Sequence, residues 1–112
     1  MDAAQIYGQV LNDLSRTVVR MTSPEFDLLL QQGTTEERQR AGRELLRLQQ
    51  ARLVLGNVAL QSIVGELKGN EEAFVQGRTE VRRALERLEN VAQVLNSITS
   101  FVNLVARVVP LL

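Results

Sequence analysis

From residue 81 onward, apolar side chains recur every seven residues. Val81, Leu88, Leu95, Val102 and Val109 form one series, and Ala84, Val91, Ile98, Val105 and Leu112 follow each by three. These are the a and d positions of a coiled-coil-like seam, so the spacing predicts a long amphipathic helix. Such a seam is marginal alone in water and needs another helix against it. The requirement selects an all-α fold and directs the functional reading toward helix packing rather than chemistry.

Three further helical segments precede this one. Tyr7, Leu11, Leu14, Val18 and Met21 alternate by four and three, which predicts a helix over 3–21 with Asp2 as its cap. Ser23-Pro24 is a cap followed by a first-turn proline, so a short segment over 24–31 carries Phe26, Leu28, Leu29 and Leu30 as a connector plugged into the core. Thr34 and Glu37 have the spacing of a capping box and open a third segment over 35–68, with Gly69 as its stop. Asn70-Glu71-Glu72 opens the fourth, over 71–109, ahead of Pro110. The linker at Gly69 is short, so segments three and four are expected to fold back on each other. The predicted architecture is a single domain, 1–112. It is an elongated helical bundle built on a long antiparallel helical hairpin with a shorter N-terminal helix. At ~1.5 Å per residue, uninterrupted arms would be about 50–60 Å long.

The third segment changes character along its length. Arg38, Arg40, Arg43, Glu44, Arg47 and Arg52 charge its first half, with Leu45, Leu46 and Leu48 assigned to the inner side. From Leu53 to Gly65 there is no charge, and apolar residues cover most of the circumference, as in a helix buried on several sides. Gly8, Gly42, Gly56, Gly65 and Gly77 fall inside predicted helices and are read as points of close helix approach, except that Gly56-Asn57 is the strongest candidate for a break.

The composition excludes several chemistries. The 112 residues include 13 basic and 13 acidic side chains, with no histidine and no cysteine. Zero net charge argues against a general nucleic-acid binder. Without Cys or His there is no thiolate nucleophile or thiolate metal site, and the commonest general base is missing. No phosphate loop, dinucleotide fingerprint, nucleophile elbow or EF-hand pattern is present, so no catalytic residue, metal or cofactor is assigned. The arginine cluster of the third segment is either a solvated, salt-bridged face or a surface for an anionic partner. The N-terminus lacks a basic region followed by an apolar one, so the expected location is cytoplasmic.

The second half of the last segment is the most informative surface. Its outer positions are uncharged, with Asn90, Gln93, Asn96, Ser97, Ser100 and Asn103, while Val94, Phe101, Leu104 and Val108 add a second apolar stripe beside the seam. Helix one and the short segment can cover that stripe; otherwise it is a self-association surface or a membrane-contacting one. The reading taken forward is a non-catalytic structural or adaptor subunit, a homo-oligomer, that associates through helix–helix contact. Val94, Ile98, Phe101, Leu104, Val105 and Val108 are its candidate interface. The alternative is a membrane-active, lipid-surface protein that uses the same helix. The hairpin with an apolar end is similar in architecture to small helical adaptors and to helical pore-forming proteins, a likeness that transfers no residue.

Overall fold

Polar caps fix where the first three helices begin. Asp2 accepts from the Gln5 amide at 2.8 Å while the Asp2 amide donates to Gln5 Oε1 at 3.1 Å, a reciprocal pair that opens α1 (Ala3–Met21). The Ser23 hydroxyl accepts from the Phe26 amide, and Pro24 occupies the first turn of α2 (Pro24–Gln31). Thr34 and Glu37 close the same reciprocal box at 2.9 and 3.0 Å over α3 (Thr35–Asn57). A 3₁₀ turn over Leu60–Ser62 leads to α4 (Val64–Gly69), α5 (Glu71–Arg87) and α6 (Val91–Val108). The computed structural model describes residues 1–109. The helices form an all-α bundle of 44 × 25 × 18 Å.

The segments predicted over 35–68 and 71–109 are each interrupted. The first break falls at Gly56-Asn57, where the Asn57 side chain donates to the Leu53 carbonyl at 2.7 Å and Val58 turns extended. The Tyr7 hydroxyl donates to the Leu55 carbonyl at 2.8 Å, satisfying one of the acceptors the broken helix end leaves. The second break runs through the heptad itself. Leu88 adopts φ 49° and ψ 41°, its amide bonds to the Ala84 carbonyl at 2.9 Å, and Asn90 caps α6 by accepting from the Gln93 amide at 3.0 Å. A left-handed leucine costs about 1–2 kcal/mol, which the packing of α5 against α6 offsets. The seam survives the break: Val81, Ala84, Val91, Leu95, Ile98, Val102, Val105 and Val109 are buried, and Leu88 is half-buried. Leu112, the last position of the series, lies outside the described residues.

These breaks explain why the longest dimension stays below the length of an uninterrupted arm. They also redistribute the helix pairing. Residues 88–90 fold α5 back antiparallel on α6, with Phe74 and Phe101 edge to face at 6.3 Å and 82°. At Gly77 a Cβ would stand 3.8 Å from Leu104, so this is one glycine where close approach holds. By contrast, a Cβ at Gly8, Gly42, Gly56 or Gly65 would meet nothing within 4 Å. Helix α3 runs alongside α6 in the same direction, because Arg40 reaches Asn96 and Thr99 while Arg47 reaches Asn103. Helix α1 lies antiparallel to α3.

An ion pair ties α1 to α5. Arg78 Nε donates to Asp13 Oδ2 at 2.6 Å, and Arg78 Nη2 donates to Gln9 Oε1 at 2.7 Å. Asp13 is 11% exposed, so little water replaces it if it is removed. Asp13→Ala is expected to lower stability by about 1–3 kcal/mol, read as a lower urea midpoint with an unchanged slope. Asn90→Ala removes the α6 cap and is expected to cost about 1 kcal/mol by the same measurement.

Candidate association surface

All six residues predicted to form the interface lie inside the protein. Val94, Ile98, Phe101, Leu104, Val105 and Val108 are buried, Phe101 to 2% exposure. The structure brings them together, but as core: α5, α3 and α4 pack on α6 and cover both apolar stripes. Most of that cover comes from α5 and α3, with α4 beside them; cover by the first helix and the short segment is one of three readings the sequence leaves open. Phe26 and Leu29 of α2 are plugged into the core elsewhere, while Leu28 stays exposed.

The uncharged outer face of α6 also has a partner within the chain. Arg40 donates to Asn96 at 2.8 Å and to Thr99 at 3.1 Å, and Arg47 donates to Asn103 at 2.6 Å. Arg47 also sits 3.3 Å from Glu44, which is buried to 6% exposure. Two of the clustered arginines are therefore a polar ladder between α3 and α6. A planar fork of donors suits amide and hydroxyl acceptors along a neighbouring helix. Arg38 turns back to the Gly33 carbonyl at 2.7 Å. Arg43 and Arg52 remain exposed with no carboxylate within 4 Å among the described residues.

What stays bare is the opposite face of α3. Ala41, Glu44, Leu48, Ala51 and Leu55 are its inner line, so Gly42, Leu46, Gln49, Leu53 and Gly56 point outward, spaced four, three, four and three. Leu46 is 56% exposed and Leu53 62%, with half-buried Leu45 and Val54 beside them. The remaining exposed aliphatics of the helices, Val19, Leu28, Val64 and Val75, fall one to a helix. Isolated apolar residues are ordinary on a protein surface. Two leucines on one stripe, one heptad apart, form a ridge about 10 Å long. This ridge is the correction to the sequence reading, which placed Leu46 inside with Leu45 and Leu48. Positions 46 and 48 are about 200° apart on a helix and cannot both face one core. That angle was the available signal.

A cleft of about 390 Å³ opens between α1 and α5. Val81, Leu85 and Phe101 line it, with Arg16, Arg20 and Arg82 around them. Its acids are Asp13, held by Arg78, and Glu86, so it presents no pair of free carboxylates and no activated nucleophile. Helix α6 is long and apolar enough to cross a membrane by length and composition, at mean hydropathy 1.2 over 18 residues, but half of that window is buried in the bundle. No protein-family model, curated protein or solved structure matches the chain.

Proposed function

We propose that the protein is a non-catalytic helical subunit that works by helix–helix association, first of all with itself, through the outer face of α3. The observation that supports this is the exposed Leu46–Leu53 ridge on a helix whose opposite side is fully engaged in the core. A bare apolar ridge is stabilised by covering it, at roughly 25 cal/mol for each Å² removed from water. The surface moves from α6, where the sequence pattern suggested it, to α3. The zero net charge removes long-range repulsion between copies. Sedimentation velocity over a dilution series tests the reading. The mean mass is expected to rise with concentration through the micromolar range, and a mass fixed at that of one chain would count against self-association.

Membrane activity is the second reading, favoured by the length and hydropathy of α6. Insertion would require α6 to leave its partners, exposing Phe74 and Leu67 and breaking the Arg40 and Arg47 bonds to its polar side. It would also carry Asn96 and Asn103 into hydrocarbon. The expected result is no co-flotation with neutral or anionic liposomes. Flotation abolished by a charge on the apolar side of α6 would make the membrane reading primary.

A further inference from the structure

We infer that the cleft between α1 and α5 binds a small amphipathic anion, a single alkyl chain ending in a carboxylate. The cleft shares no residue with the outer face of α3, so this site and the association reading stand or fall separately. Arg16 and Arg20 of α1 and Arg78 and Arg82 of α5 border it, against the carboxylates of Asp13 and Glu86. Asp13 and Arg78 neutralise each other at 2.6 Å. Arg16, Arg20 and Arg82 have no carboxylate within 4 Å among the described residues. In a chain of zero net charge, four guanidinium groups against two carboxylates leave an excess of two positive charges around one opening.

Helices α1 and α5 run in the same direction, with Asp13 beside Arg78 and, further along both, Arg20 beside the Leu85 carbonyl. The Asp13–Arg78 pair occupies one end, with Gln9 on the second Arg78 nitrogen. At the other end Arg20 Nη2 lies 3.5 Å from the Leu85 carbonyl, its one side-chain hydrogen bond among the described residues. That distance is the outer limit of such a bond, so most donors of this guanidinium remain available. A carboxylate suits them best, because it accepts two parallel charge-assisted bonds. Between the ends the wall is mostly apolar, with Val81, Leu85 and Phe101 inside and exposed Val19 at the rim. The stretch from Arg78 to Leu85 is about 10 Å of helix. A volume of 390 Å³ stands near the lower end for small-ligand pockets, roughly 300–1,000 Å³. The cleft therefore suits one medium-length alkyl chain. A phosphate ion would match the arginines and leave the apolar wall bare. A neutral hydrocarbon would cover the wall and leave the arginines unmatched. A fatty carboxylate satisfies both.

Calorimetric titration with decanoate, kept below its micellar concentration, tests this. One site per chain is expected, with affinity rising about fourfold for each methylene from hexanoate upward until the wall is covered. Decanol has the tail without the charge and should bind at least about tenfold more weakly. Arg16→Glu/Arg82→Glu is expected to weaken decanoate binding about a hundredfold, and Glu86→Gln to tighten it about twofold or more. All three side chains are exposed, so helicity should be retained. Arg43→Glu, on α3, should leave binding unchanged. A wild type that binds decanoate as a monomer would support the site without the association reading. Absence of saturable binding, or equal affinity for decanoate and decanol, would overturn the site. Binding lost in Leu46→Asp/Leu53→Asp but kept in Arg16→Glu/Arg82→Glu would place the ligand on the α3 ridge and overturn it too. Anionic liposomes should not compete with decanoate; competition would overturn the free acid in favour of a membrane lipid.

Discussion

Phe101→Asp is expected to abolish cooperative folding. The ring is 2% exposed, packs edge to face on Phe74 and lies beside Gly77, so the substitution both empties a large core volume and buries a carboxylate there. Loss of a core Phe alone costs about 3–5 kcal/mol, and the desolvated charge adds several more. Total stability for a domain of this size is on the order of 5–15 kcal/mol. Helical circular dichroism should collapse, or a urea transition should vanish, at 25 °C. A folded, dissociated Phe101→Asp variant would return the interface to α6, where the sequence pattern first suggested it.

Leu53→Asp has the opposite signature. Leu53 is 62% exposed and its substitution removes little from the core, so stability should change by less than about 1 kcal/mol. Association should fall steeply, because each dimer would hold two carboxylates against apolar partners. The expected weakening is at least about a hundredfold, corresponding to roughly 3 kcal/mol. Equilibrium sedimentation of the variant beside a urea titration separates the two effects. A large loss of stability with unchanged association would place Leu53 in the structural core instead.

The contrast between these residues shows what the sequence made legible. Helix starts were readable because capping is local chemistry: Asp2 with Gln5, Ser23 before Pro24, and Thr34 with Glu37 all act within four residues. The break at Gly56-Asn57 was marked by residues that weaken helices. The break at Leu88 was hidden, because leucine is a strong helix former and the heptad passes through the turn in phase. Only Asn90, a good cap standing inside the pattern, signalled a new helix start. Missing that turn left α6 without α5 folded over it, and so left its second apolar stripe looking bare. The polar residues Asn96, Thr99 and Asn103 looked like an uncommitted surface for the same reason: their arginine partners are more than fifty residues away in sequence. Tertiary pairing of this kind leaves no local trace.

The outer face of α3 escaped notice for a different reason. Leu45, Leu46 and Leu48 are a short apolar cluster, and such clusters suggest burial until they are placed around a helix. Once Leu48 and Leu55 are fixed inside, Leu46 and Leu53 must lie outside. The association claim stands on that geometry. Its most direct test is absolute mass by light scattering, on the wild type and the Leu46→Asp/Leu53→Asp double variant at the same concentration, about 100 μM, well above a micromolar dissociation constant. The expected result is twice the 12.5 kDa chain mass for the wild type and the single-chain mass for the variant, both fully helical. Equal masses for the two proteins, whether monomer or oligomer, would contradict it.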